Sequence, residues 1–333
     1  MNLVTGGAGH LGNVLVRELV ARGEMVRVLI LPGEDTGSLE GLPVEIVEGN
    51  VLDQDSLEKA MKDVDVVFHM AGLVSITEEG SDLLEAVNVK GTQNVIDAAV
   101  KTKVKQLIYT SSIHALERPP IGISISENCE FDPENPAGAY DRTKAKASLL
   151  VQRASKKGLD VRIICPTGVI GPYDYRRSEL GELFLAWMEK PVNFIIEGAF
   201  DFVDVRDVAI GHILARDFGQ EGETYILGGE RVELSFLHKL VQQVTGRAKR
   251  LISFPLPIAL IVARLAEIYY RVTKTRPKFT RYSLETVISN STISCDKAKK
   301  ELGYRPRKLK NTIEDTIAWW RENIRKTKKT LRF

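Results

Sequence analysis

The chain has 333 residues, 44% of them apolar and 27% charged, with a net charge of +2. That composition belongs to an ordinary globular protein with a sizeable core, and the near-balanced charge excludes a bulk electrostatic attraction to nucleic acid. Cys129, Cys165 and Cys295 lie far apart without metal-ligand spacing, so a reduced, cytoplasmic protein with no disulfide and no metal is expected.

The sequence opens on an apolar stretch, Met1 to Val4, expected to be a strand, so no signal peptide is expected. Thr5-Gly6-Gly7-Ala8-Gly9-His10-Leu11-Gly12 follows, then a helix with Val14, Leu15, Leu19 and Val20 on one face. Gly6, Gly9 and Gly12 stand three apart between strand and helix. That context gives a tight turn, close approach of backbone to a ligand, and free N–H groups facing a pyrophosphate.

Further strands are expected at 25–31, 44–50, 65–70 and 106–109, and helices at 55–62 and 83–100. Residues 117–139, with four prolines, read as a loop, followed by a helix at 139–157 and a strand at 160–165. Apolar strands alternating with helices mean an α/β fold with a doubly wound parallel sheet, a Rossmann fold. Beyond Pro166 the rhythm loosens: a helix at 179–190, a strand near Phe202, a helix at 206–218, a strand at 224–227, then mostly helix. Leu256 to Tyr270, broken by Arg264 and Glu267, is too short to span a bilayer and reads as an amphipathic helix. The last helix is expected to start at Asn311 as N-cap, with Glu314 three later, and the basic ending 325–333 to fray. The expected division is a cofactor-binding domain at 1–165, to which 202–228 returns. A smaller, mostly helical substrate-binding part at 166–330 follows, with the cleft between them.

The chemistry rests on Tyr140 and Lys144, four apart on one helix face, with Ser112 just past the fifth strand. A neighbouring ammonium is expected to pull the phenol's pKa of about 10 toward working pH. The tyrosine can then exchange a proton with an alcohol or carbonyl while hydride moves to or from a nicotinamide. The Ser112 hydroxyl can hold the same oxygen.

With these residues in order, the chain resembles the extended short-chain dehydrogenase/reductase family over essentially its whole length. The shared elements are the glycine turn, Ala71-Gly72, Asn88-Val89-Lys90-Gly91-Thr92, Thr110-Ser111-Ser112, Tyr140 with Lys144, Pro166 with Gly171-Pro172, and Val205-Arg206-Asp207-Val208-Ala209. The resemblance implies Tyr140 as catalytic acid/base, Lys144 on the nicotinamide ribose and Ser112 polarising the reacting oxygen. It implies cofactor contacts from Gly6, Gly9, His10, Leu11, Gly12, Leu31, Asn50, Val51, Met70, Ala71, Gly72, Asn88, Thr110, Pro166, Thr167, Gly168 and Val169. Substrate contacts fall to Val74, Ser112, His114, Tyr173 and Phe200. Asn88 braces the site or is a structural helix residue, His114 touches ligand or packs, and His69 packs. A homodimer through helices 83–100 and 139–157 is implied by analogy.

Within the family, Val26 to Ile30, Leu39 to Glu45, Tyr225 to Gly229 and Lys297 to Arg307 look like the dihydroflavonol reductase, 3β-hydroxysteroid dehydrogenase and hopanoid-associated sugar epimerase branch. Two departures stand out. Nucleotide-sugar epimerases carry an arginine for the substrate diphosphate where this chain reads Gly198-Ala199-Phe200-Asp201-Phe202, which suits an uncharged, partly apolar substrate. Arg176 and Arg177 remain as sources of positive charge. Relatives place arginine at the position of Leu31, whereas here Glu34 and Asp35 follow it, weighing toward NAD over NADP. The leading expectation is an NAD(P)-dependent oxidoreductase acting on a secondary alcohol or ketone. The alternatives are a nucleotide-sugar epimerase or dehydratase with tightly bound NAD, and a non-catalytic NAD(P)-binding sensor. Specificity is expected in the segments 72–82, 114–138, 172–200 and 256–272.

Overall fold

A computed structural model describes residues 1–75, 80–273 and 280–330. The first half runs β1 (Asn2–Thr5), α1 (His10–Ala21), β2 (Val26–Ile30), β3 (Glu45–Glu48), α2 (Gln54–Ala60) and β4 (Val66–His69). Then come α3 (Ser81–Leu84), a π-helical stretch Glu85–Lys90, α4 (Gly91–Thr102), β5 (Gln106–Thr110), α5 (Ala139–Ser155) and β6 (Val161–Pro166). The second half has β7 (Gly168–Ile170), α6 (Glu179–Glu189), β8 (Val192–Ile196), β9 (Ala199–Asp204), α7 (Val205–Phe218) and β10 (Thr224–Leu227). It ends with β11 (Glu230–Glu233), α8 (Leu234–Thr245), β12 (Arg250–Phe254), α9 (Leu256–Thr273), α10 (Arg281–Ile288), α11 (Asp296–Leu302) and α12 (Leu309–Thr330).

Seven parallel strands form the main sheet in the order β10-β6-β5-β4-β1-β2-β3. Alternating side chains on a strand face opposite ways, and this decides the two cores. Leu3, Val67, Leu107 and Ile163 pack with Leu57, Val95, Ala99 and Val151 of α2, α4 and α5. Their neighbours Val4, Phe68, Ile108 and Ile164 pack with Leu15, Leu19, Val208 and Ile213 of α1 and α7. The strand order reverses between β1 and β4, so the crevice at the carboxyl ends of β1, β4, β5 and β6 is where ligands bind in such sheets.

The second half holds more strand than its sequence suggests. β11-β9-β7 and β12-β8 are small separate sheets whose partners lie far apart in sequence. Phe202 therefore belongs to a satellite sheet, while α7 packs on the main one and β10 joins its edge. The helix expected at 83–100 is interrupted by the π-helical stretch. Asn311 caps nothing: α12 begins at Leu309, and the Asn311 N–H already donates to the Lys308 carbonyl at 3.0 Å. The basic ending expected to fray is helical as far as Thr330, and residues 331–333, like 76–79 of the first specificity segment, lie outside the described residues. Among the described residues no helix is long and apolar enough to cross a membrane.

The Val205-Arg206-Asp207 segment is an ion-pair clamp. Arg206 pairs with Asp204 and Asp315, both at 2.7 Å, and Arg307 with Asp204 at 2.9 Å and Asp207 at 3.2 Å. It ties the start of α7 to the C-terminal helices. The Asp204 carboxyl is held below its usual range: its burial, which alone would raise it, is outweighed by the Arg206 bond.

Candidate active site

The glycine turn is built as its spacing implies. Gly6 adopts φ +69°, and a Cβ there would lie 2.7 Å from the Ala71 nitrogen, while a Cβ on Gly12 would strike the Gly6 carbonyl oxygen. The Gly9 N–H donates to that same carbonyl at 3.0 Å. α1 then begins with no side-chain cap and no acid in its first turn, so its leading N–H groups are left for an anion. A cradle that any Cβ would fill, ending on an uncapped helix, fits a dinucleotide pyrophosphate. His10 is engaged elsewhere, with Nε2 on the Pro172 carbonyl at 3.0 Å.

Behind the turn lies a buried polar chain that sequence reasoning did not reach. The Ala71 N–H donates to Thr5 Oγ1 at 3.1 Å, Thr5 meets His69 Nδ1 at 2.8 Å, and His69 Nε2 meets Thr92 Oγ1 at 3.0 Å. Thr92 donates its single proton to the Asn88 carbonyl at 2.6 Å. Each direction follows from that last bond. His69 must carry its proton on Nε2, and Nδ1 accepts from Thr5. Burial pushes the His69 pKa down to about 3, so it stays neutral and structural.

The π-helical stretch turns Asn88 inward, a feature common at functional sites. Asn88 is 1% exposed; its oxygen accepts the Leu73 N–H at 2.8 Å and its nitrogen donates to the Leu73 carbonyl at 3.0 Å and Thr143 Oγ1 at 3.2 Å. It thus braces the segment after Gly72 against α5. Val74, one residue on, is 70% exposed.

Tyr140 and Lys144 share the inner face of α5. Lys144 Nζ donates to the Thr110 carbonyl at 2.5 Å and stands 4.7 Å from the centre of the Tyr109 ring. Ser112 Oγ accepts the His114 N–H at 3.2 Å, which leaves its own proton free for the Tyr140 oxygen. The electrostatics depart from the sequence expectation. Burial raises the Tyr140 pKa to about 12, against the lowering effect of the Ser112 hydrogen bond, rather than Lys144 drawing it down. Burial also lowers Lys144 to about 8. Desolvation outweighs the ammonium because Lys144 turns toward the strand carbonyl.

The loop at 166–169 passes beside this group. Thr167 Oγ1 donates to Asp201 at 2.6 Å, and a Cβ on Gly168 would meet the Phe200 ring at 2.9 Å. Asp201 also accepts the Gly229 N–H at 2.8 Å, so this acid anchors backbone. The neighbouring Phe200 turns its ring to the Tyr140 group: it stacks on His114 at 5.7 Å, and His114 meets the Tyr140 ring edge-on at 6.4 Å. Arg118 donates to His114 Nδ1 at 2.9 Å, and Tyr282 from α10 donates to Asp141 at 3.0 Å. Burial, then the Arg118 charge, keeps His114 neutral.

Three further expected contacts lie outside the Tyr140 group. The Tyr173 ring, at φ +68°, lies 4.8 Å from the Arg17 guanidinium and against Trp319, away from Tyr140. The Asn50 side-chain oxygen accepts the Leu52 N–H at 2.9 Å and closes the turn before α2, with Val51 buried beneath Gly91. Leu31, 48% exposed at the end of β2, donates its N–H to Glu34 at 2.8 Å. Met70, Leu11 and Val169 are half-buried along the crevice.

Residues 2–228 match the model of the NAD dependent epimerase/dehydratase family. The chain belongs to the NAD-dependent epimerase/dehydratase family. A similar relative is the sterol demethylase protein B of Methylococcus capsulatus, 34% identical over 322 residues, 96% of this chain and 98% of that protein. A 4-hydroxy-2-methyl-3-oxo-4-farnesyl-3,4-dihydroquinoline-1-oxide ketoreductase of Stigmatella aurantiaca is 30% identical over 91% of each chain. Among solved structures, gox2253 superposes with a TM-score of 0.84 at 33% identity, covering 97% of this chain and 98% of that one. This member of the epimerase/dehydratase family is a nicotinamide-cofactor enzyme of the oxidoreductase/epimerase type.

Proposed function

We propose that this protein is a dehydrogenase/reductase that moves a hydride at a secondary alcohol or ketone carbon of a small, partly apolar substrate. Tyr140 is the acid/base, Lys144 holds the nicotinamide ribose and Ser112 fixes the reacting oxygen. The observation that carries this reading is the convergence of Ser112, Tyr140 and Lys144 at the carboxyl end of β5, beside an aromatic wall. The cofactor supplies or accepts the hydride. In the reducing direction Tyr140, protonated at neutral pH, gives its proton to the carbonyl oxygen while the Ser112 hydroxyl donates to that oxygen. The substrate class rests on Phe200 stacked over His114 and on the engagement of the candidate diphosphate ligands: Arg176 pairs with Glu34 and Arg177 with Glu182. The two relatives, a sterol demethylase protein and a farnesyl-dihydroquinoline-oxide ketoreductase, point the same way. NAD is the favoured cofactor, because Glu34 presents an acid at the end of β2. A pairing of two copies over the helical stretch 83–100 and α5 would cover Leu83 and Val100, 56% and 59% exposed.

The test is stoichiometry. The protein should purify without tightly held NAD, and an apolar ring ketone should consume one NADH per alcohol formed. Retained, non-exchanging NAD with no net redox change would establish the epimerase instead.

Lys144 gives a second check. Because burial holds its pKa near 8, the ammonium that donates to the ribose is lost as pH rises through that value. NADH affinity should therefore be constant from pH 6 to 7.5 and fall above about 8, and Lys144→Met should bind weakly with no such pH dependence. A wild-type affinity unchanged at pH 9.5 would contradict the ribose contact.

A further inference from the structure

The end of β2 and the loop after β7 meet at one ion pair. Glu34 Oε2 accepts the Leu31 N–H at 2.8 Å, which pins the carboxylate against the strand end, and Oε1 accepts from Arg176 at 2.6 Å. The same Arg176 nitrogen reaches the Asp35 carbonyl at 3.5 Å. The Asp35 carboxylate turns away, accepting the Gly37 N–H at 2.8 Å. Glu34 is thus the acid held at the strand end, at the sequence distance past the glycine turn, about 20 residues, where an acid meets the adenosine ribose.

Arg176 is delivered there by an anchored loop. His10 binds the Pro172 carbonyl, Asn13 donates to the Tyr173 carbonyl at 3.1 Å, and the Tyr173 ring packs on Arg17. All three anchors stand on α1, the helix whose start faces the pyrophosphate. The guanidinium and the carboxylate are therefore held in one frame, with the Arg176 side chain 47% exposed and that of Glu34 16%.

We propose that Glu34 and Arg176 together discriminate between the two nicotinamide cofactors: Glu34 accepts the ribose 2′-hydroxyl of NAD(H) and, by holding Arg176, keeps a latent clamp for the 2′-phosphate of NADP(H) closed. This rests on the dinucleotide-binding reading. A carboxylate offers about four lone-pair positions, so it can accept a backbone N–H, a guanidinium and a ribose hydroxyl together. The diol binds without disturbing the pair. A 2′-phosphate meets the carboxylate, and it reaches Arg176 only by displacing Glu34, which leaves two like charges side by side. Removing the Glu34 charge reverses the sign: Arg176 becomes the uncompensated group, with a guanidinium fork suited to phosphate oxygens.

The experiment is titration of the full chain, stripped of nucleotide, with NADH and NADPH by nicotinamide fluorescence. It covers wild type, Glu34→Gln, Arg176→Met and the double variant, each checked for an unchanged melting temperature. Wild type should favour NADH. Glu34→Gln should tighten NADPH by about tenfold or more, the size of one charge-assisted hydrogen bond, and weaken NADH. The double variant should lose the NADPH gain, which a merely structural role for Arg176 would not produce. A Glu34→Gln ratio equal to wild type, a double variant that keeps the gain, or a wild type that already favours NADPH each overturns the proposal while leaving dinucleotide binding intact. Failure of wild type to bind either nucleotide overturns both.

Discussion

Tyr140→Phe is expected to lower the rate of hydride transfer by about 10²- to 10⁴-fold, the range that a positioned acid/base contributes, and to leave the NADH dissociation constant within about twofold. The substitution removes one oxygen and keeps the ring that meets His114 edge-on, so packing is preserved. The proposed nucleotide cradle comes from other residues: the glycine turn, the α1 start and Lys144. The phenol beside Lys144 cannot take over. Tyr109, on the adjacent strand, is 1% exposed under Lys144, and burial raises its pKa far above the working range. Single-turnover kinetics with bound NADH, alongside fluorescence titration, separates the two effects. A variant with a near-normal transfer rate would remove Tyr140 from the mechanism.

The second large effect is on stability in acid. His69 and His212 are fully buried and neutral, with pKa values pushed down by burial to about 3 and about 4. The unfolded chain takes up those protons near pH 6.5 and the native protein does not, so the unfolded state binds more protons and stability falls as pH falls. Each histidine contributes about 1.4 kcal/mol per pH unit, so from pH 6.5 to 4.5 the two together cost about 5 kcal/mol, a large share of a typical stability. Glu127, Asp201 and Asp207, whose pKa values are raised by burial, act in the opposite sense toward the bottom of this window. His212 can be isolated. Its Nδ1 donates to the Val208 carbonyl and its Nε2 accepts from Thr110, both at 2.8 Å. Gln at 212 keeps a donor and an acceptor without titrating. Denaturant unfolding at several pH values should show a slope shallower by about 1.4 kcal/mol per unit in His212→Gln; equal slopes would mean that His212 is protonated in the native state.

What was legible in the sequence is what short spacing encodes. Gly6, Gly9 and Gly12 declare their turn because Gly9 and Gly12 crowd the Gly6 carbonyl within one strand–helix unit and Gly6 itself takes a positive φ. Tyr140 and Lys144 declare a shared helix face, and the apolar runs give all seven strands of the main sheet within a residue or two. Asn88 escaped because a helical period of 3.6 contains no sign of a π-helical stretch, and only that stretch aims its amide at Leu73. Arg118, Asp141 and Tyr282 converge beside His114 from three separate parts of the chain, and Glu34 meets Arg176 across 142 residues. The phenol's electrostatics were misjudged for a related reason: spacing reveals a neighbouring ammonium but not how deeply both groups are buried. The Tyr173 side chain went the wrong way because its left-handed backbone, unusual for a tyrosine, turns the ring back toward α1.

The late return of α7 and β10 to the main sheet bears on how the protein is made. Val4, Phe68, Ile108 and Ile164 are covered by Val208, Ala209 and Ile213, and Arg216 of the same helix bridges to Glu24 at 2.9 Å. During synthesis the first six strands emerge with only α1 on that face, and the part that α7 covers stays bare until some fifty further residues have left the ribosome. A chain stalled or cleaved near residue 165 would present a wide apolar sheet surface, the kind of species that chaperones hold and that otherwise aggregates.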